Sequence, residues 1–158
     1  MNVNTGPKME ARMSTFLNGK CLKITRSFIN YKFFEPFKNR VDEKEAPDYY
    51  TVIKEPMWLT EVVRKLKSNS YEKLGQYVYD MNLIWSNAIH YNSEGTLYAV
   101  MAHCGEYRLK KELQELAITK EDEHLYKLKK YSEQISFYTQ HLQKQLDHVP
   151  TKHDVIKT

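Results

Sequence analysis

The residues best equipped for chemistry gather around one amide. Residues 80–95 read Asp-Met-Asn-Leu-Ile-Trp-Ser-Asn-Ala-Ile-His-Tyr-Asn-Ser-Glu-Gly, and Asn92 falls where a helical pattern runs into turn residues. A primary amide carries two donors and an acceptor oxygen, so Asn92 could grip a neutral amide of a partner. It could equally serve as a helix cap, a common role for Asn. The remaining members of the constellation are aromatic: Phe33, Phe37, Tyr49, Tyr91 and Tyr98. A pocket of that composition suits a flat, neutral, partly apolar ligand with one carbonyl to satisfy.

Other chemistries find no support. There is no Gly-rich phosphate loop, no nucleophile elbow and no His-Glu-x-x-His helix. His103 and Cys104 are adjacent, so on a helix they point to different faces and cannot easily share a metal. His90 reads as a solvated helix-end residue. We therefore expect no catalytic residue, no metal ligand and no cofactor. Cys21 and Cys104 lack a pairing pattern and are expected to be reduced, buried thiols of an intracellular protein.

Positioning such a site takes a scaffold, and the chain has room for one domain with an appended element at 158 residues. Charged residues make up 28% and apolar ones 41%, a soluble balance. The net charge of +4 is spread singly or in pairs, with no block of five like charges, so no direct nucleic-acid binding is expected. No apolar run reaches membrane-spanning length and no secretory leader is read, so no membrane role is expected.

Periodicity then supplies the elements. Residues 1–8 read as a flexible tail. Met13, Leu17, Cys21, Ile24, Phe28 and Tyr31 mark one face of a helix from Met9 to Asn30, with Asn18-Gly19 offering a start or a bend. From Lys32 to Met57 the periodicity vanishes, leaving a connection too aromatic for a disordered linker. Leu59, Val62, Val63 and Leu66 then mark a short helix. A helix from Tyr71 to Tyr91 and another from about Thr96 to Leu116 complete a bundle. The last of these is expected to bury Tyr98, Gly105, Leu109 and Leu113. Residues 119–148 form a C-terminal amphipathic helix, with Leu128, Tyr131, Ile135, Tyr138 and Leu142 at seam spacing. It could lie on its own bundle, or serve self-association or docking. Residues 149–158 read as a second flexible tail.

Pro47-Asp48-Tyr49-Tyr50, Ile53-Lys54-Glu55-Pro56-Met57 and the run from Asp80 to Asn92, in that order and spacing, resemble the bromodomain signature. Phe33-Phe34-Glu35-Pro36-Phe37 looks like the shelf that opens that family's first loop. The resemblance covers roughly Met9 to Leu116, so residues 9–118 are expected to be the bromodomain. It implies an all-α, left-handed four-helix bundle, with a long first loop and both pocket loops at one end, that reads acetyl-lysine. By motif position Asn92 would donate to the acetyl carbonyl, and Tyr49 would reach it through an ordered water. Phe33 and Phe37 would line the methyl side, Tyr91 would pack behind and Tyr98 would stand at the rim, with Val41 also in the site. The implied partners are an acetylated histone peptide and a multiprotein chromatin complex, in the nucleus. Acids on the two loops (Asp42, Glu43, Glu45, Asp48, Glu94) would favour a basic peptide. Three departures stand out. Tyr31-Lys32-Phe33 lies where Trp-Pro-Phe is usual, Phe37 where a smaller Val is common, and Trp58 where an Asp commonly caps the short helix.

Overall fold

The computed structural model describes residues 6–146 and divides the chain into two units, Met1–Ile118 and Thr119–Thr158. Most of the expected N-terminal tail and all of residues 149–158 lie outside the described residues. In the first unit, α1 spans Thr15–Ile29, α2 Tyr49–Val52, α3 Leu59–Lys67, α4 Leu74–Tyr91 and α5 Leu97–Gln114. The long helices α1, α3, α4 and α5 make the bundle, with α4 packed on α5 and α1 on α3. Their apolar stripes meet in one core around Leu17, Phe28, Leu59, Leu66, Tyr77, Met81, Trp85 and Leu109.

The ends of the helices differ from the periodic reading for local reasons. Ser14 accepts a hydrogen bond from the Leu17 N–H at 3.1 Å, so α1 starts at Thr15 rather than Met9. Gly19 lies inside α1 and does not end it. Residues 11–13 pair instead with residues 72–74: the Met13 N–H donates to the Glu72 carbonyl at 2.8 Å and the Leu74 N–H to the Ala11 carbonyl at 2.9 Å. That pairing and the Gln76 side chain, which accepts from the Lys73 N–H, delay the start of α4 to Leu74. The first loop also gains structure the pattern did not reveal, a 3₁₀ turn over Lys32–Phe37 and the single turn α2.

Two buried polar groups tie the bundle together. Asp80 is ion-paired with Lys65 and accepts from the Tyr71 hydroxyl at 2.7 Å, linking α3, the following loop and α4. Thr25 donates to the Cys21 carbonyl at 2.9 Å and meets the Tyr77 hydroxyl at 3.2 Å. Cys21 is buried, but Cys104 is exposed on α5, which corrects the expectation that both thiols are buried. Position 104 falls on the outward side of a helix whose inward residues are Met101, Ala102, Gly105 and Leu109. Tyr98 is likewise 49% exposed rather than packed in the core.

Burial makes this bundle sensitive to base. It pushes the Cys21 thiol from 9.0 up to about 12 and, with neighbouring Tyr50 and Tyr91, the Tyr49 phenol from 10.0 up to about 12. Tyr71 and Tyr77 are raised in the same direction, mainly by desolvation. Each is an acid that the unfolded chain deprotonates first, so folding holds these protons. The stability they contribute is present below the ordinary values and is lost as pH climbs through the raised ones. Melting curves should therefore show a falling Tm between about pH 9 and pH 11. A Tm that stays level across that window would contradict the burial.

Among its described residues the second unit has a single helix, α6, spanning Lys120–Leu146. Thr119 and Asp122 cap it reciprocally, each side chain accepting from the other's backbone N–H at 3.1 Å. Leu128, Tyr131, Ile135, Tyr138 and Leu142 are exposed along it.

Candidate functional site

The site is built on α4, which holds the first loop by three hydrogen bonds. The Asn87 amide donates to the Glu55 carbonyl at 2.8 Å, the Tyr79 hydroxyl to the Glu55 carboxylate at 2.7 Å, and the Tyr91 hydroxyl to Asp48 at 2.6 Å. The loop also braces itself. Tyr50 donates its hydroxyl proton to the Val41 carbonyl at 2.7 Å and accepts from Arg40 Nε at 3.0 Å. A long aromatic loop is thereby held open as a wall instead of collapsing onto the core.

Between this loop and the end of α4 lies a cavity of about 410 Å³. Pro36, Phe37, Val41, Ala46, Met57, Ile84 and Ala88 supply apolar wall, with Tyr49, Tyr91, Tyr98 and Asn92 adding polar tips. Asn92 caps α4 and lines the cavity at once. Its backbone N–H donates to the Ala88 carbonyl at 3.0 Å and its side-chain N–H to the same oxygen at 2.8 Å. That second bond fixes the amide plane and leaves one N–H and the amide oxygen unclaimed by the described residues. Tyr49 is buried, with its ring 5.0 Å from that of Tyr91, and its phenol is a neutral donor at physiological pH, as an ordinary tyrosine is.

The structure gathers Asn92, Tyr49, Phe37, Val41, Tyr91 and Tyr98 around this cavity, but not Phe33. Phe33 stacks on Tyr31 and meets Phe34 edge-on outside the cavity wall. The reason is the 3₁₀ turn, in which residues three apart eclipse one another. Phe34 and Phe37 share its inward side and both are buried against Trp85. The shelf is accordingly Glu35-Pro36-Phe37, with Glu35 where the family usually has Trp. Phe37 takes the motif's Phe position rather than that of a smaller Val. Sequence reasoning also missed Trp58 as a wall residue, having treated it only as a lost cap. The cap is indeed absent from its side chain, but the Lys38 carbonyl compensates by accepting the Thr60 N–H at 2.9 Å.

A helical bundle that opens an aromatic-lined cavity around one oriented amide has the build of a recognition module. A bromodomain family model matches residues 21–103, and the chain belongs to the bromodomain family. It is 52% identical over 64 residues to the nucleosome-remodeling factor subunit NURF301 of Drosophila melanogaster, over 40% of this chain and 2% of that one. It is 41% identical over 75 residues to the SAGA complex subunit SPT7 of Saccharomyces cerevisiae, over 47% of this chain and 6% of that one. Segments 39–47 and 83–85 resemble the bromodomain of a fungal SAGA subunit, and SPT7 is among the relatives found. Among solved structures, the second bromodomain of Candida albicans Bdf1, bound to an imidazopyridine, aligns with a TM-score of 0.59 at 28% identity. That match covers 63% of this chain and 99% of the other. The chain thus spans only a few per cent of the curated relatives above.

Proposed function

We propose that this protein reads acetyl-lysine on histone tails as a non-catalytic module of a nuclear, multiprotein chromatin complex. The observation that carries the reading is the Asn92 amide, oriented by Ala88 and lining an aromatic and aliphatic cavity that Tyr49 also lines. Its free N–H would donate to the acetyl carbonyl, and the Tyr49 hydroxyl would reach the same oxygen through a water. Acetylation removes the lysine charge, so the side chain can enter an apolar slot at small desolvation cost. An ammonium held at Asn92 and Tyr49 would exchange its hydration for two neutral groups, which favours the acetylated side chain at that end of the cavity. The complex and its nuclear setting are supported by relatives named as subunits of SAGA and of a nucleosome-remodeling factor.

Titration of matched histone-tail peptides tests this directly. The acetylated peptide should bind at least about tenfold more tightly than its unmodified twin, a difference of about 1.4 kcal/mol. Absolute affinity should be weak, because one small buried group must offset the ordering of a flexible peptide. Equal affinity for the two peptides would sink the proposal.

A further inference from the structure

One wall of the cavity carries chemistry that an acetyl group does not need. Trp58 stands at the N-cap of α3 with extended backbone and makes no capping bond. Its indole is half-buried and lines the cavity. Thr60 ties this end of α3 to the first loop, donating its N–H to the Lys38 carbonyl at 2.9 Å and its hydroxyl to Asn39 at 3.3 Å. Trp58 lines the cavity together with the first-loop residues Glu35, Pro36 and Asn39.

An aromatic face together with a carboxylate fits a cation. Glu35 is exposed, and its pairing with Lys38 at 3.1 Å uses a single carboxylate oxygen. Exposed pairs of this kind are weak, so an incoming cation can share or displace it. Arg40 also lines the cavity but is committed elsewhere. It pairs with Glu43 at 3.1 Å and lies over the Tyr50 ring at 4.6 Å. Asp42 and Glu45 line the cavity and form no ion pair among the described residues. The local field on this wall therefore favours positive charge despite the chain's net charge of +4.

We propose that Trp58 and Glu35 form a second subsite that takes an arginine flanking the acetyl-lysine on the same peptide. It rests on the acetyl-lysine reading above and adds a sequence preference to it. Arginine is favoured over lysine because a planar guanidinium stacks flat on an indole and forks onto a carboxylate, whereas an ammonium is a strongly hydrated point charge. An extended peptide advances about 3.3–3.6 Å per residue, so a neighbour one or two positions away stays within reach of the same cavity.

The test uses the full chain and peptides that differ at two places, acetylated or unmodified lysine and a neighbouring arginine or citrulline. Citrulline keeps the shape and removes the charge. In the wild type, the acetylated arginine peptide should bind about fivefold more tightly than the acetylated citrulline peptide. That ratio should fall towards one in both Trp58→Ala and Glu35→Gln, the second being an exposed change that does not disturb packing. The chain has two Trp residues, so the half-buried Trp58 can be followed by its own indole N–H resonance apart from the buried Trp85. Its signal should move more with the arginine peptide than with citrulline. An arginine/citrulline ratio of one in the wild type, with acetylation dependence intact, overturns the subsite and leaves the reader standing. An arginine-dependent Trp58 response that ignores acetylation keeps the subsite and removes the reader. A ratio that survives both substitutions overturns the assignment to Trp58 and Glu35.

Discussion

Gly105→Ala is expected to destabilise the bundle by about 1–3 kcal/mol, although the same change in an open helix ordinarily gains about 1 kcal/mol. A Cβ built at Gly105 falls 2.7 Å from two ring atoms of Trp85 and 2.8 Å from a third. The indole cannot step aside. It is fully buried between Phe28, Phe34 and Phe37, with centroids at 5.4, 5.5 and 5.3 Å. Its N–H is buried without a hydrogen-bond partner among the described residues, so packing alone fixes the ring. Gly19 supplies the internal control. It lies inside α1, and an added Cβ there meets nothing within 4 Å. Gly19→Ala should therefore raise stability by up to about 1 kcal/mol. Thermal melts should place the two variants on opposite sides of the wild type, with Gly105→Ala lower by at least about 4 °C. Equal shifts of the same sign would refute the close approach. Because Phe37 touches Trp85 and also lines the cavity, Gly105→Ala should weaken peptide binding as well.

What could be read from the sequence divides along physical lines. The four bundle helices were legible because each buries one face, and burial imposes a period of three to four on the apolar residues. Helix ends were less legible. The start of α4 depends on residues 72–74 pairing with residues 11–13, sixty positions away, and no local pattern records that. The shelf was the main misreading. Phe33, Phe34 and Phe37 are interchangeable by composition, and only the eclipsed geometry of the 3₁₀ turn buries two of them and leaves Phe33 half-buried away from the cavity. Trp58 escaped notice as a wall residue for a related reason. At its position the sequence shows the absence of a cap, while the cavity it faces is assembled from residues up to 63 positions apart in the chain, Glu35 to Tyr98. The signal that could have found it is its size: a Trp at a capping position has no local role, so a long-range one should be sought.

Asn92→Ala is expected to remove acetyl-lysine binding, and Asn92→Asp to do nearly the same while preserving shape. The acetyl carbonyl, once desolvated in the slot, needs a donor. Leaving such an acceptor unpaired costs about 1–3 kcal/mol, a loss of roughly 5- to 150-fold in affinity. Asp in place of Asn keeps the volume but replaces the donating amide with a carboxylate, which can only accept. It would then face both the Ala88 carbonyl, 2.8 Å from the present nitrogen, and the ligand oxygen. Repulsion from two oxygens should make Asp at least as damaging to binding as Ala. Stability separates this account from simple capping. The side-chain bond to Ala88 is partly exposed, and the backbone N–H of residue 92 still caps the same carbonyl at 3.0 Å after substitution. A loss of about 0.5–1.5 kcal/mol in folding is therefore the most the cap explains. Binding and melting measured on the same samples decide the matter. Acetyl-peptide affinity should fall more than tenfold while the protein remains folded at the assay temperature. Near-wild-type affinity in either folded variant would return Asn92 to the role of a helix cap and leave the cavity without its discriminating group.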